Sequence, residues 1–363
     1  MCILSPFLNK ERALRFSQIP VNKREVFLLR KLSVLLTGVF LVVLVLSMVM
    51  SAQEVVIYTY DSFGQTLMEM MEQHMQKEYG AKVRFVLFED TGAMYTRLVL
   101  EKNNPRADLV IGLDEVFVID AKKDDLFQPY RPKDADKIRK ELVFDEEFYM
   151  TPYDFGYITF NYDSKTLPNP PRTFADLAGE GLGRKIVIPN PMTSSPGQAF
   201  LLATIAYFGE DGYLEFWKEL KKNILVMPSS WSIAYGIYTN GEAPIVLSYG
   251  TSPVYHLISE STERYQALVL DDVAWAQIEG AGIVKGSKNP ELAKAALDYL
   301  LSIPMQEALP ESQFMYPVRV DAKLPESFKI AAQASEILNP RLDLGDVHDK
   351  LDSWLRDWEN VMR

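Results

Sequence analysis

The sequence predicts an α/β fold in two lobes, and three observations carry that expectation. From Glu54 onward, short β-rich runs alternate with longer amphipathic ones, the pattern of largely parallel strands joined by helices. One unit of strand, polar turn and helix returns five times along the chain. Two extended segments rich in aromatics or glycine, Thr151–Asp163 and Ile278–Val284, read as crossings between lobes. A chain of 363 residues that is 48% hydrophobic and 24% charged has room for two ordinary domains with a substantial core. Residues 53–153 with 281–315 are expected to build one lobe, and 154–280 with 316–363 the other.

Residues 1–52 are set apart from the fold. Lys23-Arg24 and Arg30-Lys31 precede the apolar run Leu32–Met50, and Ser51-Ala52 supplies small residues before Gln53. This is the order of a secretory signal, or of a retained membrane segment at 32–50, with an upstream extension Met1–Asn22. Removing it takes away seven Lys/Arg and two Asp/Glu and leaves 31 basic against 47 acidic residues, a net charge of −16. An acidic body of that kind repels nucleic acid and anionic membrane surfaces. The single cysteine, Cys2, lies in the same segment, and no cysteine near Ala52 is placed for acylation. Downstream of it there is no thiol for a disulfide, a thiolate metal site or a cysteine nucleophile.

The candidate strands are Val55–Thr59, Lys82–Phe88, Asp108–Gly112, Tyr157–Asn161, Lys185–Pro189, Ile224–Val226, Ile245–Tyr249 and Ile278–Val284. Helical periodicity fills the gaps, as in Thr66–Tyr79, where Leu67, Met70, Met71 and Met75 share a face.

The five polar turns are Tyr58–Ser62, Glu89–Gly92, Met192–Gly197, Ser229–Trp231 and Leu247–His256, "LSYGTSPVYH". Each offers a Ser, Thr or Asp to cap a helix, and Pro196 and Pro253 sit where proline is best tolerated. In open α/β sheets such turns gather at the carboxyl ends of strands, where ligands bind, and helix starts accept a phosphate or carboxylate through free N–H groups. Tyr60, Trp231, Tyr249 and Tyr255 flank these turns, which suits a flat or cationic ligand. Asp90 and Asp154 are placed to add a countercharge. Tyr153, Tyr157 and Tyr162 read mostly as packing at the crossing.

Catalytic patterns are missing. His74, His256 and His348 have no spaced partners; His74 reads as solvated and His256 as a donor behind the aromatic turn. No HExxH, CxxC or P-loop occurs, so neither a metal site nor a cofactor is expected. Gly179–Gly183 has the glycine spacing of a dinucleotide turn without its flanking strand and helix, and reads as a loop.

In order, "YTYDSF" (Tyr58–Phe63), Glu89-Asp90, "ADLVIGLD" (Ala107–Asp114), "DFGYITFNYD" (Asp154–Asp163), "TSSPG" (Thr193–Gly197), "WSIAYG" (Trp231–Gly236), "LSYGTSPVYH" and "MYPV" (Met315–Val318) resemble the periplasmic thiamine-binding proteins of ABC transporters. The resemblance implies a two-lobed periplasmic-binding-protein-like fold of type II. Each lobe would be a mostly parallel sheet flanked by helices, with the ligand cleft between them. It implies a monomeric carrier, not an enzyme, that takes up thiamine or its phosphates and hands it to a permease of the inner membrane. By motif position, Asp90 and Thr91 would contact the ligand. Ser194 and Ser195 would bind at a helix start, with Ser194 reading phosphate esters, and Trp231 would stack on a ring. Tyr249, Gly250, Thr251 and Ser252 would line the opposite wall, with Tyr60 and Tyr255 completing the enclosure. Three positions depart from the pattern: Phe63–Thr66 lacks a tryptophan, Phe314 replaces another, and Met192 stands where relatives have arginine.

Two other functions fit parts of the same pattern. Keeping the fold and changing the cargo gives a related receptor for ferric ion, which paired tyrosines near a cleft suit, or for a polyamine. A thiamine-processing enzyme of similar fold would need a cysteine nucleophile that the chain lacks after Cys2.

Overall fold

The computed structural model describes residues 53–363, and the expected leader at 1–52 lies outside the described residues. In chain order the first elements are β1 (Glu54–Tyr60), α1 (Gln65–Tyr79), β2 (Lys82–Phe88), α2 (Thr91–Glu101), β3 (Leu109–Asp114), α3 (Val118–Lys123) and β4 (Phe127–Gln128). The long strand β5 (Thr151–Asp163) follows, then α4 (Phe174–Ala178), β6 (Ile186–Val187), α5 (Ser195–Phe208), α6 (Tyr213–Leu220) and β7 (Ile224–Val226). Next come α7 (Trp231–Thr239), β8 (Ile245–Tyr249), α8 (Ser252–Glu260), β9 (Tyr265–Leu268) and the second long strand, β10 (Val273–Val284). The chain ends in α9 (Pro290–Leu300), α10 (Ile303–Ser312), β11 (Tyr316–Pro317), β12 (Glu336–Ile337) and α11 (Leu344–Met362).

The main sheet runs β2-β1-β3-β10-β5-β8-β6-β7, with four short strands paired to the two central ones. Its flanks are parallel, β1 with β2 and β3, and β6 with β7 and β8. The centre is not: β10 runs antiparallel to β3 and β5, and β5 antiparallel to β8. The expected parallel character therefore holds only outside the two long strands. The first, β5, has the bounds of the extended segment Thr151–Asp163 expected as a crossing, whereas of β10 the sequence pattern shows only Ile278–Val284. Gly156 is needed for packing, since a Cβ there would lie 2.8 Å from both Met315 Sδ and the Tyr249 ring.

Alternate strand residues feed opposite layers. On β1, Val55 and Ile57 face Leu67, Met71, Met75 and Leu300, whereas Val56 and Tyr58 face Met94 and Leu98. On β8, Ile245 and Leu247 join a cluster with Phe200, Trp217, Trp354 and Trp358, and Val246 packs with Ala234 and Tyr238. Each large side chain buried in this way contributes about 1.5–3 kcal/mol. Late in the chain, Tyr316, Val318 and Phe328 still pack with the α1 side, while Leu338 and Val347 pack with Trp217. The change of cluster falls between Phe328 and Leu338. Asp343 caps α11 through the N–H groups of Gly345 and Asp346, and the helix buries Trp354 and Trp358 against α6. No helix among the described residues is long and apolar enough to cross a membrane.

Two of the three histidines differ from expectation or refine it. His74 is half-buried and stacks on Tyr299 at 3.7 Å with the rings 3° from parallel, so it is a packing residue of the α1–α9 contact rather than a solvated one. His256 is fully buried between the Tyr235 hydroxyl (2.9 Å) and Glu260 (3.0 Å), and burial lowers its pKa despite Glu260.

Candidate functional site

A cavity of about 470 Å³ opens where the carboxyl ends of β1, β2 and β8 meet the starts of α2, α5, α7 and α8. This is where an open α/β sheet leaves room for a ligand. Its wall combines aromatic faces (Trp231, Tyr235, Tyr249, Tyr255, Phe314), hydroxyls such as Ser62 and Ser252, and four carboxylates, Glu89, Asp90, Glu260 and Glu279. No Lys, Arg or His lines it.

Asp90 organises one side. It caps α2 by accepting the Thr91 N–H at 2.8 Å, and the same carboxylate accepts N–H groups from the starts of two distant helices, Ser195 at 3.2 Å and Trp231 at 3.4 Å. Helix starts favour a negative charge, and this one is supplied by the chain itself. Burial raises the Asp90 pKa against the opposing pull of the Ser194 hydroxyl and of the Ser195 and Thr91 donors. Two further contacts join the same rims, Ser229 Oγ to Glu89 at 2.5 Å and Ser232 Oγ to Asp61 at 2.7 Å.

The aromatic side is fixed by hydrogen bonds behind the rings. Trp231 stacks on Tyr235 with centroids 4.9 Å apart, and its Nε1 donates to Ser248 Oγ at 2.9 Å, which in turn bonds Ser252 Oγ at 2.8 Å. Tyr255 meets Phe314 edge to face at 5.4 Å. Tyr249 donates to Gln277 Oε1 at 3.3 Å, and Gln277 Nε2 reaches Ser195 Oγ at 3.1 Å.

Beneath the rings lies an acidic floor. Glu279 of β10 is paired in register with Asp114 of β3 on one side and Asp154 of β5 on the other, so three carboxylates stand in a row across neighbouring strands. All three are buried. The Glu279 carboxylate accepts the hydroxyls of Tyr60 (2.6 Å) and Tyr153 (2.5 Å), and Gln313 Nε2 donates to Tyr60 at 2.6 Å. Asp114 holds the Val116 N–H, whereas neither oxygen of Asp154 has a partner among the described residues. Burial pushes the Glu279 carboxyl up to about 7, and burial followed by the neighbouring carboxylates raises Asp114 and Asp154 well above the usual range. Gly112 makes room for this floor: at φ 104° it lies against Tyr60, whose ring a Cβ would meet at 2.2 Å.

Eight of the eleven residues expected at a site line the cavity: Tyr60, Asp90, Thr91, Ser195, Trp231, Tyr249, Ser252 and Tyr255. Ser194, Gly250 and Thr251 do not. The Ser194 and Thr251 side chains are buried and cap no helix N–H, with Pro196 and Pro253 at these helix starts, and the Ser194 hydroxyl supports Asp90 instead. Gly250 is covered by Ala332, whose N–H donates to its carbonyl at 2.9 Å. Asp154 lies under the floor and not on the wall. Of the departures, Phe314 reaches the cavity and Met192 does not. The sequence reading missed Glu279, Ser312 and Gln313, took Tyr153 for packing, and named Tyr235, Phe314 and Met315 only as motif positions. An acidic residue inside the otherwise uncharged run Val273–Val284 was a signal for the first of these.

The chain matches the model of a bacterial extracellular solute-binding protein over residues 104–337. It is 34% identical to the thiamine-binding periplasmic protein of Brucella abortus, across 91% of this chain and 98% of that one. It is 30% identical to the thiamine-binding periplasmic protein of Escherichia coli, across 84% and 92%. A solved periplasmic thiamin binding protein superposes with a TM-score of 0.78 at 28% identity, covering 86% of this chain and 98% of that one.

Proposed function

This chain belongs to the bacterial extracellular solute-binding protein family, and on that premise we propose that it captures thiamine or its phosphate esters and delivers them to an ABC transporter permease. The observation that carries the reading is the cavity wall, in which aromatic faces and four carboxylates stand without a single basic side chain. Such a wall favours a flat organic cation, because π faces and buried carboxylates both attract positive charge once water is excluded. Thiamine carries a flat cationic thiazolium ring joined to an aminopyrimidine, and it is what the two relatives are named for.

On this reading Trp231 and Tyr249 supply ring faces, and Ser195, Ser252 and Thr91 supply polar contacts. The carrier acts outside the cytoplasmic membrane as a monomer, exported or held through residues 32–50, without a cofactor or catalytic step. The two sides of the cavity belong to two lobes joined by β5 and β10, and they close through Asp90, Glu89 and Asp61. A ligand favours the closed arrangement only through contacts it makes there and not in the open one. The ferric alternative fares worse, because the Tyr60 and Tyr153 hydroxyls are engaged by Glu279.

Fluorescence titration of the purified protein tests the proposal. Thiamine should quench Trp231, and a protein that responds to none of thiamine, its monophosphate and its diphosphate is not a thiamine carrier.

A further inference from the structure

Three acidic side chains directly opposite one another on adjacent strands repel, and a buried row of them without a base cannot be fully ionised. The groups facing Glu279 are Asp114 and Glu115 from β3 and its end, Tyr153 and Asp154 from β5, Tyr60 from β1, Asp90 from the start of α2 and Tyr249 from β8. Every one of them is acidic or phenolic. Glu115 is held separately, its carboxylate accepting the Ile278 N–H at 2.9 Å and Trp275 Nε1 at 3.3 Å. Asp90 is held by the helix starts. Only Glu279 both belongs to the row and reaches the cavity.

Building on the thiamine-carrier reading, we propose that Glu279 is the residue that selects a positively charged ring, and that a proton shared across the Asp114–Glu279–Asp154 row leaves as that ring binds. The charge balances: one cation enters, one proton passes from the carboxyl to solvent, and the buried site keeps its net charge. Two tyrosine hydroxyls already donate to Glu279, so its ionised form has hydrogen-bond partners ready when the proton departs. Asp154, fully buried and outside the cavity wall, is the natural holder of a second proton that stays. The pKa of Glu279, raised to about 7 mainly by burial, places the exchange near neutrality. A neutral ring of the same shape brings no charge to exchange and should bind without proton release.

The test is calorimetric titration of the full chain at pH 7 with thiamine and with thiochrome, its uncharged tricyclic oxidation product, in phosphate and in Tris. The difference in heat between the two buffers reports protons exchanged. Thiamine should release up to about half a proton per site, given a group that is half protonated near this pH. Thiochrome should release none. Glu279→Gln should lower thiamine affinity about tenfold or more, as expected for loss of a buried charge partner, abolish the proton release, and leave thiochrome affinity within about twofold. Asp154→Asn replaces a carboxyl that keeps its proton with a neutral amide of similar shape, so thiamine affinity and proton release at pH 7 should both stay close to those of the parent. Thiamine binding without proton release, or a Glu279→Gln protein that binds thiamine as the parent does, overturns this inference and leaves the carrier reading standing. A parent protein that binds no thiamine overturns both.

Discussion

The Asp90 carboxylate accepts the backbone N–H of Ser195 at 3.2 Å across 105 positions of chain, tying the cap of one helix to the start of another. Because Trp231 donates to the same carboxylate, three helix starts share one charge. Asp90→Ala should therefore cost about 1.5–3 kcal/mol of stability, the scale of hydrogen bonds to a buried charged group. Asp90→Asn should cost less, since asparagine still caps α2. Thermal unfolding of the two variants checks the order.

Trp231 offers a face to the cavity and a donor to Ser248. Trp231→Ala should lower thiamine affinity by about 1–2 kcal/mol, the range of an aromatic contact with a cation. Trp231→Phe should fall between, because it keeps a ring and drops the bond. Equilibrium dialysis with labelled thiamine measures both without relying on the tryptophan signal.

Ser194 leads to a prediction opposite to its sequence assignment. Its hydroxyl is buried, lies outside the cavity wall and supports the buried Asp90 carboxylate. Ser194→Ala removes that support and should cost up to about 1 kcal/mol of stability. Affinities for thiamine and its two phosphates should shift equally, within about twofold. A loss confined to the phosphates would return Ser194 to the phosphate-reading role.

Two groups of carboxylates titrate in opposite directions. Asp163 is hydrogen-bonded by Arg264 through Nε at 2.6 Å and the terminal nitrogen at 2.5 Å, which holds its pKa far below the usual range. Its contribution is present above the ordinary aspartate pKa and is lost as pH falls toward the lowered one. For Glu279 the folded pKa is raised, so its contribution is full below the ordinary glutamate range and is lost as pH rises toward about 7. The empty protein should be most stable near pH 5, losing stability on both sides. Melting curves from pH 3 to 8 check this, and Arg264→Gln should flatten only the acid limb.

Much of the architecture was legible because the flanking strands are short, apolar and bounded by polar turns. Lys82–Phe88, Ile224–Val226 and Ile245–Tyr249 form as the pattern predicts. Of the two long strands, β5 has the bounds of the extended segment Thr151–Asp163, whereas β10 begins at Val273, five residues ahead of the expected Ile278. The hydroxyl turns were read correctly as a group, and Asp90 and Ser230 do cap their helices. Ser194 and Thr251 resemble them in sequence, but whether a hydroxyl turns toward a free N–H or into the core depends on neighbours far along the chain. Glu279 was missed for a related reason: its meaning comes from Asp114 and Asp154, which are 165 and 125 positions away and become neighbours only by strand pairing.

The strands that carry Asp154 and Glu279 are also the strands that join the two sides of the cavity. Any torsion between those sides changes how closely the two carboxyls face each other, and so changes how tightly they hold a common proton. Acidity and shape are in this sense one variable: a change of pH acts on β5 and β10 as a torque, and bending them acts as a change of pH.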